Sequence, residues 1–327
     1  TISTAGPRLL SAPYSGAYLA DLLAPLWTQG AVGSDSPDHP TANVYTYSGT
    51  DWVPVTNLAT QTLTAGQGFM VRVYEDNDLN GSPDLPVTLS FTGAMNENRI
   101  SLPASYGSDQ SEGSAGSGWN LVGNPYESGL TAQSLALGDT SGANPDFAST
   151  LYVYDPASQS WKTWNRSANT GTIQDGRIAP FQGFFVQSTK AGASIAFEAG
   201  MRTESDARLY RSTDGGSGAA PSIRFALGTL DGSMHDEAIV AFSPDGLPGA
   251  GPEDAYKLLP LESAGRVGLW LQERELAEEG SETGSESDLP LEIAVLPLQA
   301  SETPSLSLEL HAARLAPEQD GGGQPSG

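Results

Sequence analysis

Gly118-Trp119-Asn120-Leu121-Val122-Gly123-Asn124-Pro125-Tyr126 decides the fold, because Gly6-Pro7-Arg8-Leu9-Leu10-Ser11-Ala12-Pro13-Tyr14 matches it 112 residues earlier. Two more blocks recur in the same order. Val44-Tyr45-Thr46-Tyr47 followed by Trp52 matches Leu151-Tyr152-Val153-Tyr154 followed by Trp161. Gly66-Gln67-Gly68-Phe69-Met70-Val71 matches Phe181-Gln182-Gly183-Phe184-Phe185-Val186. Three blocks in fixed order and at nearly fixed spacing mean an internal duplication.

Each copy reads as the same series of elements. An apolar strand runs into a turn at Pro13 or Pro125, where the ring removes a ladder donor and restricts the preceding residue. A short helical stretch follows, Tyr18 to Trp27 in the first copy and about Thr131 to Leu137 in the second. Next comes an aromatic hairpin with turn signals at Ser48-Gly49 or Asp155-Pro156. The Gln-Gly-Phe strand and a last alternating strand close the copy, through Val87, Leu89 and Phe91 or through Ile195 and Phe197. Beyond the repeats, Ile223/Phe225/Leu227, Ala238 to Phe242, Leu291/Ile293/Val295 and Leu306/Leu308/Leu310 also read as strands.

The expected fold is therefore all-β, built of tandem antiparallel β-sandwich modules, two of them internal repeats. Repeat 1 is assigned to residues 1–103 and repeat 2 to 118–201, with a Ser/Gly linker from Ala104 to Gly118. A third sandwich spans 202–316, interrupted by an acidic insert at 273–288 that reads as disordered. Residues 317–327 form a flexible tail. The opening Thr1-Ile2-Ser3 reads as the start of a mature or excised segment, and no apolar run reaches the ~18 residues of a membrane span.

Charge narrows the partners. Lys+Arg 15 against Asp+Glu 39 gives a net charge of −24. Such a surface repels nucleic acid and anionic membrane, since no basic patch offsets phosphate repulsion. Acids spread along a lysine-poor chain also suit high salt, where screening relieves self-repulsion. The absence of cysteine excludes disulfides, zinc–thiolate sites and thiol nucleophiles.

Gly118 to Tyr126, Tyr152-Val153-Tyr154-Asp155-Pro156 and Gln182-Gly183-Phe184-Phe185-Val186 together resemble a module found near the C-terminus of many large proteins of Bacteroidota-like bacteria. Those proteins are secreted or surface-bound and leave the cell by the type IX route. The block beyond the repeats resembles the segment that follows the module there, through Asp236 to Phe242 and Asp254 to Leu258. The resemblance implies export and surface placement, often with a sorting domain that is cleaved off. It carries no catalytic residues to transfer. Pro7-Arg8 stands where the module has Trp-Asn, which marks repeat 1 as diverged.

No catalytic residues are assigned from the sequence. Gly-x-Ser-x-Gly, His-Glu-x-x-His and the phosphate-binding Gly-x4-Gly-Lys-Ser/Thr are absent. His235, beside Asp236 and near Ser233, is no triad, because sequence neighbours do not make one. The aromatic residues allow two readings. They are platforms for sugar rings, or they are the cores of the hairpins, and recurrence at matched positions favours the cores. Trp164 has no counterpart in repeat 1 and is the candidate for glycan stacking at the surface.

One loop does carry chemistry. In Asp76-Asn77-Asp78-Leu79-Asn80-Gly81-Ser82-Pro83-Asp84, the side chains of Asp76, Asp78, Asn80 and Asp84 place oxygen donors at alternate positions around a turn-forming glycine. That spacing resembles a shortened EF-hand loop without its closing Glu, and it makes calcium the expected cofactor. Read as a whole, the sequence points to a non-catalytic extracellular structural or interaction protein, part of a cell-surface fibre, adhesin or stalk. The alternatives are a carbohydrate-binding module, or the accessory C-terminal region of a larger secreted hydrolase. Expected partners are other copies of the chain or other surface proteins, and polysaccharide in the alternative reading. Either the Thr1 to Leu10 segment or the tail is expected to insert into a neighbouring subunit. Raising salt from 0.01 M to 1 M shortens the screening length from roughly 30 Å to ~3 Å. The melting temperature is therefore expected to rise over that range, as a thermal scan in sodium chloride will show.

Overall fold

The computed structural model describes residues 1–78, 80–90, 93–106 and 118–203, Ala255, and five strands of the C-terminal third. Side chains in those five strands are described for 222–227 and 236–241. Phe91, the acidic stretch from residue 274 to 290, most of the Ser/Gly segment and the tail lie outside the described residues.

Repeat 1 contains β1 (Gly6–Ser11), β2 (Ala17–Tyr18), α1 (Leu19–Leu23), β3 (Val44–Tyr47), β4 (Trp52–Pro54), β5 (Thr62–Leu63) and β6 (Gly68–Val73). Then follow β7 (Ile100–Pro103), β8 (Trp119–Gly123), β9 (Gly129–Thr131), a 3-10 turn at Ala132–Leu135, β10 (Phe147–Asp155) and β11 (Ser160–Asn165). Repeat 2 ends with β12 (Thr170–Gly171), β13 (Arg177–Ile178), β14 (Gly183–Ser188), β15 (Ser194–Phe197) and β16 (Arg202–Thr203). The helical stretch of repeat 1 is shorter than its sequence suggests, and that of repeat 2 is a 3-10 turn. No helix among the described residues is long and apolar enough to cross a membrane.

The two repeats build the same sheet. Repeat 1 has the order β1-β6-β3-β4, and repeat 2 has β8-β14-β10-β11 with β12 added at the edge. Register agrees as well as order. Leu10 pairs with Phe69 as Val122 pairs with Phe184, and Tyr45 pairs with Met70 as Tyr152 pairs with Phe185. In the hairpins, Tyr47 pairs with Trp52 as Tyr154 pairs with Trp161. Matched apolar positions have thus produced matched pairing, and the all-β sandwich architecture expected from the pattern is present.

Each sheet has two covered faces. Strand alternation sends Phe69, Val71 and Val73 into a core capped by Leu19, Leu22 and Leu23 of α1, and sends Phe184 and Val186 into the corresponding core of repeat 2. The opposite faces meet each other. Leu9, Tyr47, Trp52 and Met70 of repeat 1 pack on Trp119, Leu121, Tyr152, Tyr154, Trp161 and Phe185 of repeat 2. The aromatic hairpins are therefore the shared core of a two-repeat sandwich. Tyr45 is the exception: it is only partly buried and donates its hydroxyl to Ala42 O at 2.7 Å.

The contacts between the repeats are reciprocal. Ser11 N–H donates to Phe181 O and its counterpart Gly123 N–H donates to Gly66 O, both at 2.9 Å. Isolated bridges join Leu10 to Gln182 and Gln67 to Val122, again an equivalent pair. A Cβ on Gly68 would lie 2.8 Å from the backbone of Leu121, and one on Gly183 would lie 2.8 Å from the backbone of Leu9 and Leu10. The glycine of the Gln-Gly-Phe block is required because strands of the two repeats cross there at backbone contact. Asn96 lies on this pseudo-twofold relation, its Nδ2 donating to Pro13 O at 2.7 Å and to the equivalent Pro125 O at 2.9 Å.

Two expectations about segments change. β7, read as the end of repeat 1, pairs with β15, and its Leu102 belongs to the core of repeat 2. Repeat 1 uses its N-terminal segment in that place, since Ile2 and Val87 exchange backbone hydrogen bonds of 2.7 and 2.8 Å. Ile2 is bridged to Val87 and β1 is paired along β6, so the Thr1 to Leu10 segment is engaged within its own chain. The free edge of repeat 1 is β4, only three residues long and ending in Pro54, which has no N–H to offer.

Beyond residue 203, β17 (Ser222–Thr229), β18 (His235–Ala241), β19 (Val267–Glu273), β20 (Leu291–Pro297) and β21 (Leu306–Ala312) are antiparallel. They form the sheet β18-β17-β21 and the pair β19-β20. The strand at Val267–Glu273 was not foreseen, because its apolar alternation is brief and borders the acidic stretch.

Truncating Phe185 to alanine removes the ring at the centre of the shared core and is expected to cost ~3–5 kcal/mol of stability. Chemical denaturation followed by tryptophan fluorescence should show both repeats losing structure in one earlier transition. Gly183→Ala is expected to destabilise by at least about 1–3 kcal/mol, since the clash is with backbone.

Candidate functional site

The loop from Glu75 to Asp84 leaves β6 at the rim of repeat 1 and leads to Val87, which bridges Ile2. Its carboxylates are arranged by backbone donors. Asp76 Oδ2 accepts the Gly81 N–H at 2.7 Å, and Asp76 Oδ1 accepts the Asn80 N–H at 3.2 Å. Asp78 Oδ1 also accepts the Asn80 N–H at 3.1 Å, while Asp78 Oδ2 accepts Asn80 Nδ2 at 2.8 Å. Asp84 Oδ2 accepts the Asn77 N–H at 2.6 Å, and Asp84 N–H donates to Glu75 O at 2.8 Å. Asn77 Oδ1 accepts Trp27 N–H at 3.3 Å and so ties the loop to the segment after α1.

The structure brings three of the four acidic-loop residues together and leaves the fourth apart. Asp76, Asp78 and Asp84 each offer an oxygen within 4.8 Å of the others. Asn80 is turned to local bonds: its Oδ1 accepts the Ser82 N–H at 2.9 Å and its Nδ2 points to Asp78. Gly81 has φ of +89° with nothing near its missing Cβ, the left-handed turn that brings the carboxylates together. A carboxylate oxygen that accepts one N–H keeps a second lone pair, so this donor set suits a hard cation.

The expectation for Trp164 is corrected. The ring is 8% exposed and belongs to the core of repeat 2, with Nε1 donating to Gln133 Oε1 at 3.3 Å. Its position on β11 turns it to the capped face, and β12 covers the adjoining edge, so it offers no stacking surface. Apart from Tyr45 and Trp164, the aromatic residues of the two hairpins pack on one another. Phe185 stands edge-on to Tyr47 at 4.9 Å, Trp161 at 5.7 Å, Trp52 at 5.8 Å and Trp119 at 6.3 Å between centroids. Burial first, and then the nearby Asp51 charge, push the Tyr47 hydroxyl above its ordinary titration range.

Polar residues of the repeated blocks act on the backbone, a role the sequence reading missed. Gln67 Oε1 accepts Thr64 N–H at 3.1 Å, and Gln182 Oε1 accepts Ala179 N–H at 2.9 Å. Asn124 is buried and donates to Ser128 O and Ala179 O, while its Oδ1 accepts the Tyr126 N–H at 3.0 Å. The recurrence of Gln at equivalent positions was the available signal for this role.

The carboxyl of Asp76 is pushed up by partial desolvation and drawn down by donors from Gly81, Asn80 and Asp78, and the donors win. Its folded value lies below the ordinary 3.8, so the bonds stabilise the loop above that pH and are lost as pH falls through the lower folded value. Protection of the Gly81 amide from hydrogen exchange is therefore expected to persist on acidification until the pH is below 3.8. An Asp76 carboxyl that titrates above 3.8 by NMR would contradict the geometry.

A family model described as a domain of unknown function (DUF8693) matches residues 25–244, taking in most of both repeats together with β17 and β18. No curated protein and no solved structure matches the chain.

Proposed function

The chain belongs to the DUF8693 family, and we propose that it serves as a non-catalytic structural or interaction element on the outside of a bacterial cell. The carrying observation is that the aromatic faces of the two repeats bury each other. Residues that serve a binding platform elsewhere are spent here on joining two sheets, which favours a rigid spacer over a sugar reader. The net charge of −24 supports an element that stays soluble in salt and away from nucleic acid. Export by the type IX route rests on the resemblance of the repeated blocks to surface modules of Bacteroidota-like bacteria.

Calcium at Asp76, Asp78 and Asp84 belongs to the same reading, since a cation there would tie β6 to the segment at Val87 and stiffen the rim. Millimolar calcium is expected to raise the melting temperature, with half-effect on the order of 10⁻⁴–10⁻³ M. Asp78→Ala is expected to remove the effect. The function is tested by antibody labelling of intact cells that make the protein, alongside a panel of peptide, ester and glycan substrates. Surface label without turnover is the expected result. Turnover abolished by one substitution within the chain, or label only after lysis, would overturn the proposal.

A further inference from the structure

Each repeat has a capped core of its own, around Leu19, Leu58 and Phe69 in repeat 1 and around Leu130, Phe147 and Phe184 in repeat 2. The repeats meet through the shared aromatic face and the equivalent bridges Leu10 to Gln182 and Gln67 to Val122. None of these contacts depends on which chain supplies a repeat. The face of repeat 1 fits repeat 2 of a second copy as well as repeat 2 of its own chain. Two copies that exchange repeats leave no aromatic face bare, and such a closed pair is the smallest exchanged assembly with that property. The segment between the repeats therefore decides which arrangement forms.

That segment is gripped by both repeats at one residue. β7 pairs with β15 in repeat 2, so the crossing falls before Ile100. Of residues 93–99 only Asn96 is not fully exposed. Its Nδ2 donates to Pro13 O at 2.7 Å and to Pro125 O at 2.9 Å, one carbonyl from each repeat. On either side of Asn96 a single repeat holds the chain. Gly93 lies so close to the ring of Tyr14 that a Cβ there would clash with it. Asn98 O accepts the hydroxyl of Tyr126 at 2.9 Å. Tyr14 and Tyr126 end the repeated blocks, so equivalent corners hold the two ends of the crossing.

We propose that the chain has a second, exchanged form in which its partner is another copy of itself, and that Asn96 is the clasp that keeps the pairing within one chain. Exchange puts Tyr14 and Tyr126 of one chain into different pairs. The five residue steps from Gly93 to Asn98 reach at most ~17 Å when fully extended. A segment drawn out to cross between pairs cannot also hold Asn96 on both proline carbonyls, so exchange costs two hydrogen bonds in each chain. Asn96 acts here as a positioning residue, selecting the partner of each aromatic face. The inference stands apart from the surface role proposed for the chain.

The test follows which chain each repeat pairs with. The chain has no cysteine, and bridge partners such as Gln67 and Val122 lie within disulfide reach of each other. Gln67→Cys combined with Val122→Cys is refolded at high protein concentration, oxidised and run on a non-reducing gel. With Asn96 present, a monomer band alone is expected. With Asn96→Asp, which has the same shape but no N–H to donate, a covalent dimer is expected. Light scattering of Asn96→Asp without the cysteines should show the dimer dissociation constant lower by the order of 10²-fold, for four lost bonds. Met95→Ala, an exposed neighbour, is expected to leave the balance unchanged. Asn96→Asp that melts earlier yet stays monomeric would make Asn96 a merely structural residue and overturn the proposal. A dimer whose disulfides all lie within single chains would place the contact on another surface and overturn it too. Equal covalent dimer with Asn96 in place would contradict the clasp.

Discussion

The structure depends on one packed contact, the meeting of two aromatic sheet faces around Phe185. Its ring stands edge-on to two rings of repeat 1 and two of repeat 2. Edge-to-face pairs contribute roughly 0.5–1.5 kcal/mol each beyond the area they bury. A contact of this kind needs the sheets close together, and the glycines at 68 and 183 provide that closeness by removing the side chain where strands cross. Each repeat alone would expose a face of tyrosine and tryptophan. The duplication is thus the means by which either sheet is covered.

Reciprocity follows from the same contact. When two equivalent faces bury each other, the relation that satisfies both is a two-fold one, and equivalent residues exchange equivalent bonds. The bridges Leu10 to Gln182 and Gln67 to Val122 have that form. Asn96, with two N–H groups on one nitrogen, answers the two equivalent proline carbonyls. The repeats also differ at their rims. Its rim carries the Asp76 to Asp84 loop, for which repeat 2 has only Ser188 to Gly192.

Much of this was legible in the sequence, because periodicity and repetition report pairing and burial. The blocks around Leu10, Tyr47 and Phe69 indicated strands, their order and the hairpin turns. Three of the expected ligand residues converge because alternate carboxylates around a glycine constrain a short loop strongly. The partner of each face was not legible. An unbroken apolar run such as Phe184-Phe185-Val186 indicates a strand covered on both sides, but an aromatic on one side reads alike whether it meets its own cap or a second sheet. Trp164 illustrates this, since having no counterpart in repeat 1 suggested a surface role while its place on β11 put it in the core. β7 was misplaced for a related reason: four residues with a terminal proline carry no information about which sheet they join.

The account's central claim, that the faces of the two repeats form one core, is tested most directly by a double-mutant cycle between Tyr47 and Phe185. These rings belong to different repeats and lie 4.9 Å apart edge-on. The account predicts that Tyr47→Ala and Phe185→Ala are coupled in unfolding free energy by about 0.5–1.5 kcal/mol. Strict additivity, within roughly 0.3–0.5 kcal/mol, would mean that the rings do not meet and would contradict it.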